Sequence, residues 1–488
     1  GRDFDVTNRS ESVQNIAARY ADIEARFPIQ ANGKEDASND EEENEQSASL
    51  DKDALPYFID WLTENVFMVE ITAFSDDDAY TIFETMNDRG LSLTPTDMLK
   101  GYLLANIAQV DRRGVASDHW RQWVRSLNQN GKDDASDFFK AWFRSQYADS
   151  IRERKAGARP RAYDRIGTEF HRWLKDESAA LHLVDSDDFF RFIDRDMDFF
   201  AEQYGRIMEA STKQTPGLER IRYNAQLGFT LQNMLLLAPL RPGDTRHVVD
   251  TKLRLVAQYI DILLAWRQWN FKLISHSGMQ YAMFVAMRRL RELTQPENLA
   301  TTLHSMLSEE DISFETQTSL RMHQQNSRFI RSLLARLTDY VAVQSGNASH
   351  YEEYLAEKTA NRYEIEHIWS NHPEQHIVEF PYAGDFSEYR NRVGGLLLVP
   401  KKFNASYGDL PYEEKLPHYL KQNLLARSLH PDAYDRDPGF HQFIQRTGLP
   451  FRPHEEFRKS DLDARQHLYT ELAKRIWNAA DLLCEVRA

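Results

Sequence analysis

The chain has 488 residues, of which 41% are hydrophobic, and a formal net charge of −15. This length predicts two or three domains with their own cores. The net negative charge argues against a protein that coats polyanions, so any nucleic-acid contact must be confined to local basic patches. The only cysteine, Cys484, excludes an intramolecular disulfide and a cysteine-rich zinc site. No apolar run reaches the ~20 residues of a membrane helix and no signal-peptide pattern opens the chain, so we expect no membrane association and a cytoplasmic location.

The first part of the chain contains an acidic stretch between two helical patterns. Residues 31–53 are acidic and nearly free of large apolar side chains, which predicts a flexible linker. The patterns at 12–27 and 54–66 predict amphipathic helices, and the branched and aromatic residues at 66–74 predict a strand.

Residues 76–345 show an almost entirely helical pattern, with apolar residues at spacings of three and four. No period of 20 to 50 residues repeats, which argues against a solenoid. The stretch 227–240 is apolar nearly all round, so it predicts a core helix of a large bundle. After residue 360 the pattern changes to short strands and turns, followed by a final helix at 461–483. We therefore expect a domain boundary between about 315 and 350.

Residues 83–104 predict a helix, a polar turn and a second helix. The turn is Asn87-Asp88-Arg89-Gly90, and Thr94-Pro95 followed by Asp97 is typical of a helix start. A capped helical hairpin with no further role would explain this composition.

Residues 363–372 read YEIEHIWSNH, and the adjacent Glu366 and His367 lie in a predicted strand. A second strand, VGGLLLVP, follows, and then a turn that leads into a helix with Asn404. This is the order of a ββα-metal nuclease, in which an imidazole activates water and oxygen ligands hold Mg²⁺ or Mn²⁺. Neighbouring strand residues point to opposite faces, so the pair could share a site only at a twisted strand end. The alternative is an ordinary polar pair on a surface strand.

Both motifs resemble the GmrSD-type modification-dependent restriction enzymes, a family that includes SspE-like phage-defence proteins. Residues 83–104 are similar to the closing segment of the family's ParB/sulfiredoxin-like nucleotide-hydrolysing domain, which implies supporting roles for Asn87, Arg89, Gly90 and Asp97. The Asp-Gly-Gln-Gln-Arg motif that carries the nucleotide chemistry in that family is missing from this sequence. The expectation is therefore a chain that begins partway through the domain and that binds NTP only together with the missing motif.

The later segment is similar to the family's C-terminal HNH domain, whose pattern runs Glu-His-Ile, Gly-Asn-Leu, Asn and Lys and here reads EHI, GGL, FN and EEK. The resemblance implies that His367 is the general base, that Glu366 and Asn404 are metal ligands, and that Lys415 is a phosphate or structural contact. Gly395 stands where the family has its middle Asn, so either a neighbour such as Asn391 substitutes or the site is weaker. His372 and His376 on the following loop are further candidates for supporting the site.

A basic segment at residues 150–175, with its cations concentrated around a loop that contains Gly and Pro, is a candidate phosphate contact in an otherwise acidic protein. A solvated loop is the alternative. The predicted DNA-binding residues are Arg152, Arg154, Lys155, Arg159 and Arg161.

Together these observations predict a mainly α protein with a small α+β part. The predicted domains are the end of a ParB-like domain (1–110), a helical domain (111–330) and an HNH nuclease domain (331–488). The function expected from the resemblance is metal-dependent cleavage of foreign or modified DNA in phage defence, under control of a nucleotide-sensing domain. Two alternatives stay open: a degenerate nuclease that binds DNA or a protein partner, and a nuclease that acts on RNA. The sequence leaves the oligomeric state undecided.

Overall fold

The computed structural model describes residues 16–22, 55–67, 94–128, 131, 133–153, 155, 157–435 and 437–486. The chain divides into two compact units, residues 1–79 and 80–488. In the first unit residues 16–22 are helical and helix α1 spans Leu55–Asn65, as their patterns predict. The acidic stretch 31–53 and most of the expected strand at 66–74 lie outside the described residues.

The second unit is predominantly helical up to residue 355, in agreement with the sequence pattern. The helices in this region are α2 Pro95–Ala105, α3 Val110–Leu127, α4 Asp134–Tyr147, α5 Ala162–Asp176, α6 Ser186–Arg191, α7 Asp198–Thr212, α8 Glu219–Gln226, α9 Gln232–Leu237, α10 Arg246–Trp269, α11 His276–Arg291, α12 Pro296–Ser308, α13 Ser327–Gln344 and α14 Tyr351–Leu355. A π-helical turn, Phe192–Met197, joins α6 to α7, and a 3₁₀ turn, Gln324–Asn326, precedes α13.

Helix α10 lies at the centre of the bundle and is buried on nearly every side. It carries Asp261, whose carboxylate accepts hydrogen bonds from Arg336 at 3.0 Å and from the indole of Trp477 at 2.9 Å. A buried carboxylate is stable only when it is paired and hydrogen-bonded, and these partners come from α13 and from the end of the chain. A single apolar cluster accordingly extends from Leu99 to Leu482.

The remainder of the chain contains two short strands and several helices. Their bounds are β1 Tyr363–His367, α15 Ala383–Arg390, β2 Leu396–Pro400, α16 Lys401–Tyr407, α17 Tyr412–Tyr419, α18 Leu424–Arg427, α19 Asp432–Asp435, α20 Pro438–Thr447, α21 Lys459–Ile476 and α22 Asp481–Cys484, with 3₁₀ turns at Pro373–His376 and Val393–Gly395. The helix α16 begins directly after β2, so the turn expected between the second strand and the Asn404 helix is not formed there. Phe403 of α16 packs against Tyr419 with ring centroids 5.3 Å apart, and this packing stabilises a helix where the local sequence favours a turn.

The strands β1 and β2 pair antiparallel, with Tyr363 opposite Pro400 and His367 opposite Leu396. Both faces of β2 are buried. Leu396 and Leu398 belong to the large cluster of the bundle, whereas Leu397 and Val399 belong to a smaller cluster on the other face. Two buried faces explain why this strand is a continuous apolar run rather than an alternating one.

Gly394 lies in the turn before β2 and contacts the backbone of α21. A Cβ atom at this position would lie 2.4 Å from the Gln466 nitrogen and 2.7 Å from the Leu462 oxygen, so no larger residue fits without a shift of the helix. The Gly394 amide donates a hydrogen bond to Gln466 Oε1 at 2.8 Å. The turn thereby fixes the start of β2 against the last long helix.

Within the described ranges, no helix is long and apolar enough to cross a membrane.

Candidate active site

His367 is the last residue of β1, and its half-buried imidazole contacts Asn391, the residue that follows α15. Its Nε2 lies 3.0 Å from Asn391 Oδ1, and Asn391 Nδ2 donates to the Ser387 carbonyl at 2.8 Å. Because the amide nitrogen donates to the Ser387 carbonyl, the oxygen of Asn391 faces the ring and accepts a hydrogen bond from it. The proton therefore lies on Nε2, and Nδ1 keeps a free lone pair.

The surroundings of His367 keep the ring neutral. Burial lowers its pKa to about 4, and the positive charge of Arg390 acts in the same direction. The hydrogen bond to Asn391 opposes this change but does not reverse it. A neutral imidazole with a free nitrogen can accept a proton at neutral pH, which is what a general base requires.

Glu366 lies in a different environment from His367, as expected for neighbouring strand residues. Its carboxylate is buried and accepts a hydrogen bond from Lys415 Nζ at 2.7 Å, and Tyr419 OH lies at 3.4 Å. Burial raises the pKa of Glu366, and the Lys415 ammonium counteracts that rise. Of the two roles expected for Lys415, the structure shows the structural one, because its ammonium is fully buried and also donates to the His367 carbonyl at 3.0 Å.

Asn404 lies half-buried on α16, and its carboxamide forms no hydrogen bond to any other residue that the structure describes. The described residues contain no group of three or more His, Cys, Asp or Glu side chains arranged to hold a metal. The residues predicted to bind Mg²⁺ or Mn²⁺ fit such an ion in part: Asn404 is available, whereas the Glu366 carboxylate is already neutralised by Lys415.

His372 and His376 on the loop after β1 have different environments. His372 is half-buried and joins Glu374 at 2.9 Å to Asp409 at 3.2 Å, and both contacts raise its pKa. This bridge connects the loop to the segment between α16 and α17. The ring of His376 instead packs with Trp369 at a centroid distance of 4.5 Å, so it lies against the smaller apolar cluster.

Arg390 was not singled out by its sequence, and the structure places it beside His367. It is the last residue of α15, and its Nε donates to the Trp369 carbonyl at 3.0 Å. Its charge acts on both His367 and Glu366. The sequence signal was only its place next to Asn391 in the segment YRNR.

Two family models match the chain. The N-terminal domain of the GmrSD restriction endonuclease matches residues 3–104, and the C-terminal domain of GmrSD restriction endonucleases matches residues 309–472. The chain belongs to the GmrSD restriction endonuclease family. No curated protein matches it. Membership makes the protein a restriction endonuclease of the phage-defence type with DNA as its partner.

The match to the GmrSD C-terminal domain contains the whole arrangement around His367. In this GmrSD protein Gly395 occupies the position where the family pattern has its middle Asn, and there is little room for a side chain at this position. A Cβ there would lie 3.1 Å from Leu462 Cδ1 and 3.3 Å from the Arg390 carbonyl oxygen. Asn391 supplies the amide contact to the histidine from four residues earlier.

The match to the GmrSD N-terminal domain covers the residues expected to support a nucleotide site. Asn87, Arg89 and Gly90 lie outside the described residues. Asp97 has a local role at the start of α2, where its Oδ2 accepts from the Thr94 amide at 3.2 Å and its own amide donates to Thr94 Oγ1 at 3.2 Å. This capping box stabilises the helix start without any ligand.

The basic segment of this GmrSD protein is an exposed loop before α5. Its cationic side chains extend into solvent, although Lys155 is paired with Glu153 at 3.0 Å and Arg154 lies outside the described residues. A cavity of about 710 Å³ separates the loop from α11. The side chains that line it include Arg152, Glu153, Arg161, Tyr281, Phe284 and Arg288.

Proposed function

We propose that this protein hydrolyses phosphodiester bonds of DNA at an HNH-type site in which His367 is the general base. The observation that carries the proposal is the chain of hydrogen bonds from His367 through Asn391 to the Ser387 carbonyl. It fixes the proton on Nε2 and leaves Nδ1 to accept one from water. Burial lowers the pKa of His367, so the ring is neutral at the pH of the cell but is a weaker base than an exposed imidazole.

In the proposed reaction Nδ1 takes a proton from a water molecule as the water oxygen forms a bond to phosphorus. The bond between phosphorus and one ester oxygen breaks, and that oxygen leaves with a proton from solvent. One water is consumed and two strand ends form, one with a phosphate and one with a hydroxyl. The imidazolium then returns its proton to solvent, so His367 ends in its starting state.

We propose Mg²⁺ or Mn²⁺ as the cofactor, held by Asn404, by Glu366 and by oxygens of the bound DNA. A hard divalent cation supplies neutralisation of the phosphate oxygens, and Mg²⁺ commonly binds through few protein ligands together with substrate phosphates. Glu366 can coordinate it only where Lys415 gives way, so Asn404 is the ligand that the described arrangement supports directly.

DNA contact by the basic loop is a further part of the proposal. Exposed arginines beside an aromatic-lined cavity suit a phosphate backbone with a neighbouring base, and Tyr281, with 53% of its side chain exposed, is the open aromatic surface. Restriction of modified DNA and control by a nucleotide-sensing N-terminal domain are proposed from the family alone.

The test is cleavage of plasmid DNA by His367→Ala, with His441→Ala as the matched control. His441 is an exposed histidine on α20 that pairs with Gln445. Loss of the base should lower the cleavage rate by about 10²- to 10⁴-fold while the control cuts like the parent. Asn404→Ala should instead require more metal, so raising the concentration of Mg²⁺ or Mn²⁺ should restore part of its activity.

A parent protein that binds DNA but cuts neither DNA nor RNA at any metal concentration would favour the degenerate nuclease. If the parent protein cleaves RNA but not DNA, RNA is its substrate and the DNA part of the proposal is wrong. Equal cleavage by the parent and by His367→Ala would remove the general base from the mechanism.

A further inference from the structure

Arg390 has a fixed guanidinium group with unused donors. Its Nε is bound to the carbonyl of Trp369, two residues after His367, at 3.0 Å. This bond sets the plane of the guanidinium against the end of β1. Within the part of the chain that the structure describes, the two terminal nitrogens of Arg390 form no hydrogen bond or ion pair.

Two other arginines that bind backbone carbonyls use their terminal nitrogens. Arg291 donates from Nη2 to the Arg144 carbonyl at 3.0 Å and to the Ala148 carbonyl at 2.7 Å. Arg465, which is buried, donates from Nη2 to the Leu425 carbonyl at 3.2 Å. Arg390 differs from these two because only its Nε donates to a described residue, a pattern that it shares with Arg113 and Arg144. Its position sets it apart from Arg113 and Arg144, since its Nε is bound two residues after His367, where its fork of donors is left for a partner from outside the chain.

Two other cations near the end of β1 already have partners. Lys415 is buried against Glu366, and Arg392 stacks 3.5 Å from the ring of Tyr389 while it pairs with Asp463 at 3.3 Å. Arg390 therefore provides open cationic donors next to His367. Burial lowers its pKa, with Glu366 and Asp409 opposing that change, and an arginine stays charged at neutral pH.

We propose that Arg390 is a catalytic residue that binds the scissile phosphate through its two terminal nitrogens and stabilises the negative charge that grows on it in the transition state. This inference rests on the proposed function. A planar fork of donors matches two oxygens of a phosphate, and a partly desolvated cation gains most from a partner with increasing negative charge. Its neighbour Asn391 holds the base, so adjacent residues at the end of α15 would position the base and the phosphate.

The experiment compares Arg390→Gln and Arg390→Lys with the parent, and Arg458→Gln is the control. Arg458 is exposed and paired with Glu456, so its replacement removes one positive charge from the same part of the chain. Single-turnover cleavage gives the rate of the chemical step, and fluorescence anisotropy in EDTA gives DNA affinity.

Arg390→Gln should cut about 10²- to 10³-fold more slowly, with a change in DNA affinity of roughly threefold or less, the size expected for one screened phosphate contact. Arg390→Lys keeps the charge but not the fork, so it should lie between Gln and the parent. Guanidinium ion added to Arg390→Ala should restore part of the rate. NMR titration should show a higher pKa for His367 in Arg390→Gln, because a nearby positive charge is lost.

Several results would overturn the inference. A parental rate for Arg390→Gln or Arg390→Lys, while His367→Ala is inactive, removes Arg390 from catalysis but leaves the proposed function intact. Loss of the folded state by both variants in circular dichroism melts would assign Arg390 a structural role. If the parent does not cleave, or if His367→Ala cleaves like the parent, the proposed function fails and the inference fails with it.

Discussion

Glu366→Ala should destabilise the folded chain far more than loss of an exposed metal ligand would. Glu366 is 2% exposed and its partner Lys415 is fully buried, with 2.7 Å between Nζ and Oε1. Removing one member of a buried ion pair costs about 3–5 kcal/mol, because the other charge stays buried without its partner. Lys415 would keep its bond to the His367 carbonyl, so we expect a loss near the lower end, about 3 kcal/mol.

The measurement is the free energy of unfolding in urea, followed by circular dichroism, for a cycle of variants. Glu366→Gln combined with Lys415→Met removes both charges and keeps the volume, and it should be nearly as stable as the parent. Glu374→Ala, at an exposed carboxylate, should change the stability by less than about 0.5 kcal/mol. If Glu366→Ala unfolds at the urea concentration of the parent, the buried pair does not stabilise the fold and the reasoning is wrong.

Three further predictions concern the base, its support and the DNA contact. The pKa of about 4 for His367 means that the base is neutral above pH 4. The value of kcat/KM should therefore fall only as the pH approaches 4, and not near the ordinary histidine pKa of about 6.5. A fall centred near 6.5 in the pH profile would show that burial does not control the protonation of the ring. Asn391→Ala frees the imidazole to turn and should lower kcat by about 100-fold with unchanged melting, whereas parental kcat would show that the amide is dispensable. The third change replaces Arg152, Arg159 and Arg161 of the basic loop by alanine. It should flatten the salt dependence of DNA binding by up to about 0.9 log unit per log unit of salt for each lost phosphate contact. An unchanged slope would show that the loop is an ordinary surface.

The sequence was sufficient for the order of elements around the site. The two strands and the helix with Asn404 are in the expected order, since the apolar run of β2 and the polar-apolar pattern of β1 are local signals. Asn391 was a candidate for the missing amide, and the structure places it on His367. The roles of these residues in catalysis stay predictions.

The contacts of Glu366 and Arg390 could not be predicted, because they depend on tertiary distances. Lys415 lies 49 residues after Glu366, and nothing local indicates that its ammonium is buried against this carboxylate rather than open to phosphate. The position of Arg390 near the end of β1 is known only from the tertiary hydrogen bond between its Nε and the Trp369 carbonyl. The helix at α16 was missed for a related reason, since Phe403 stabilises it through packing on a distant tyrosine.

The burial of β2 on both faces has a consequence for dissecting the enzyme. A fragment that starts after α14 would lose the contacts of α13 with β2, and with them part of the cover of the face that carries Leu396 and Leu398. An exposed row of leucines on a strand is a site of aggregation. We therefore expect the isolated fragment to be less soluble than the whole chain even though its proposed catalytic residues are all present, and expression trials that compare the two soluble yields test this.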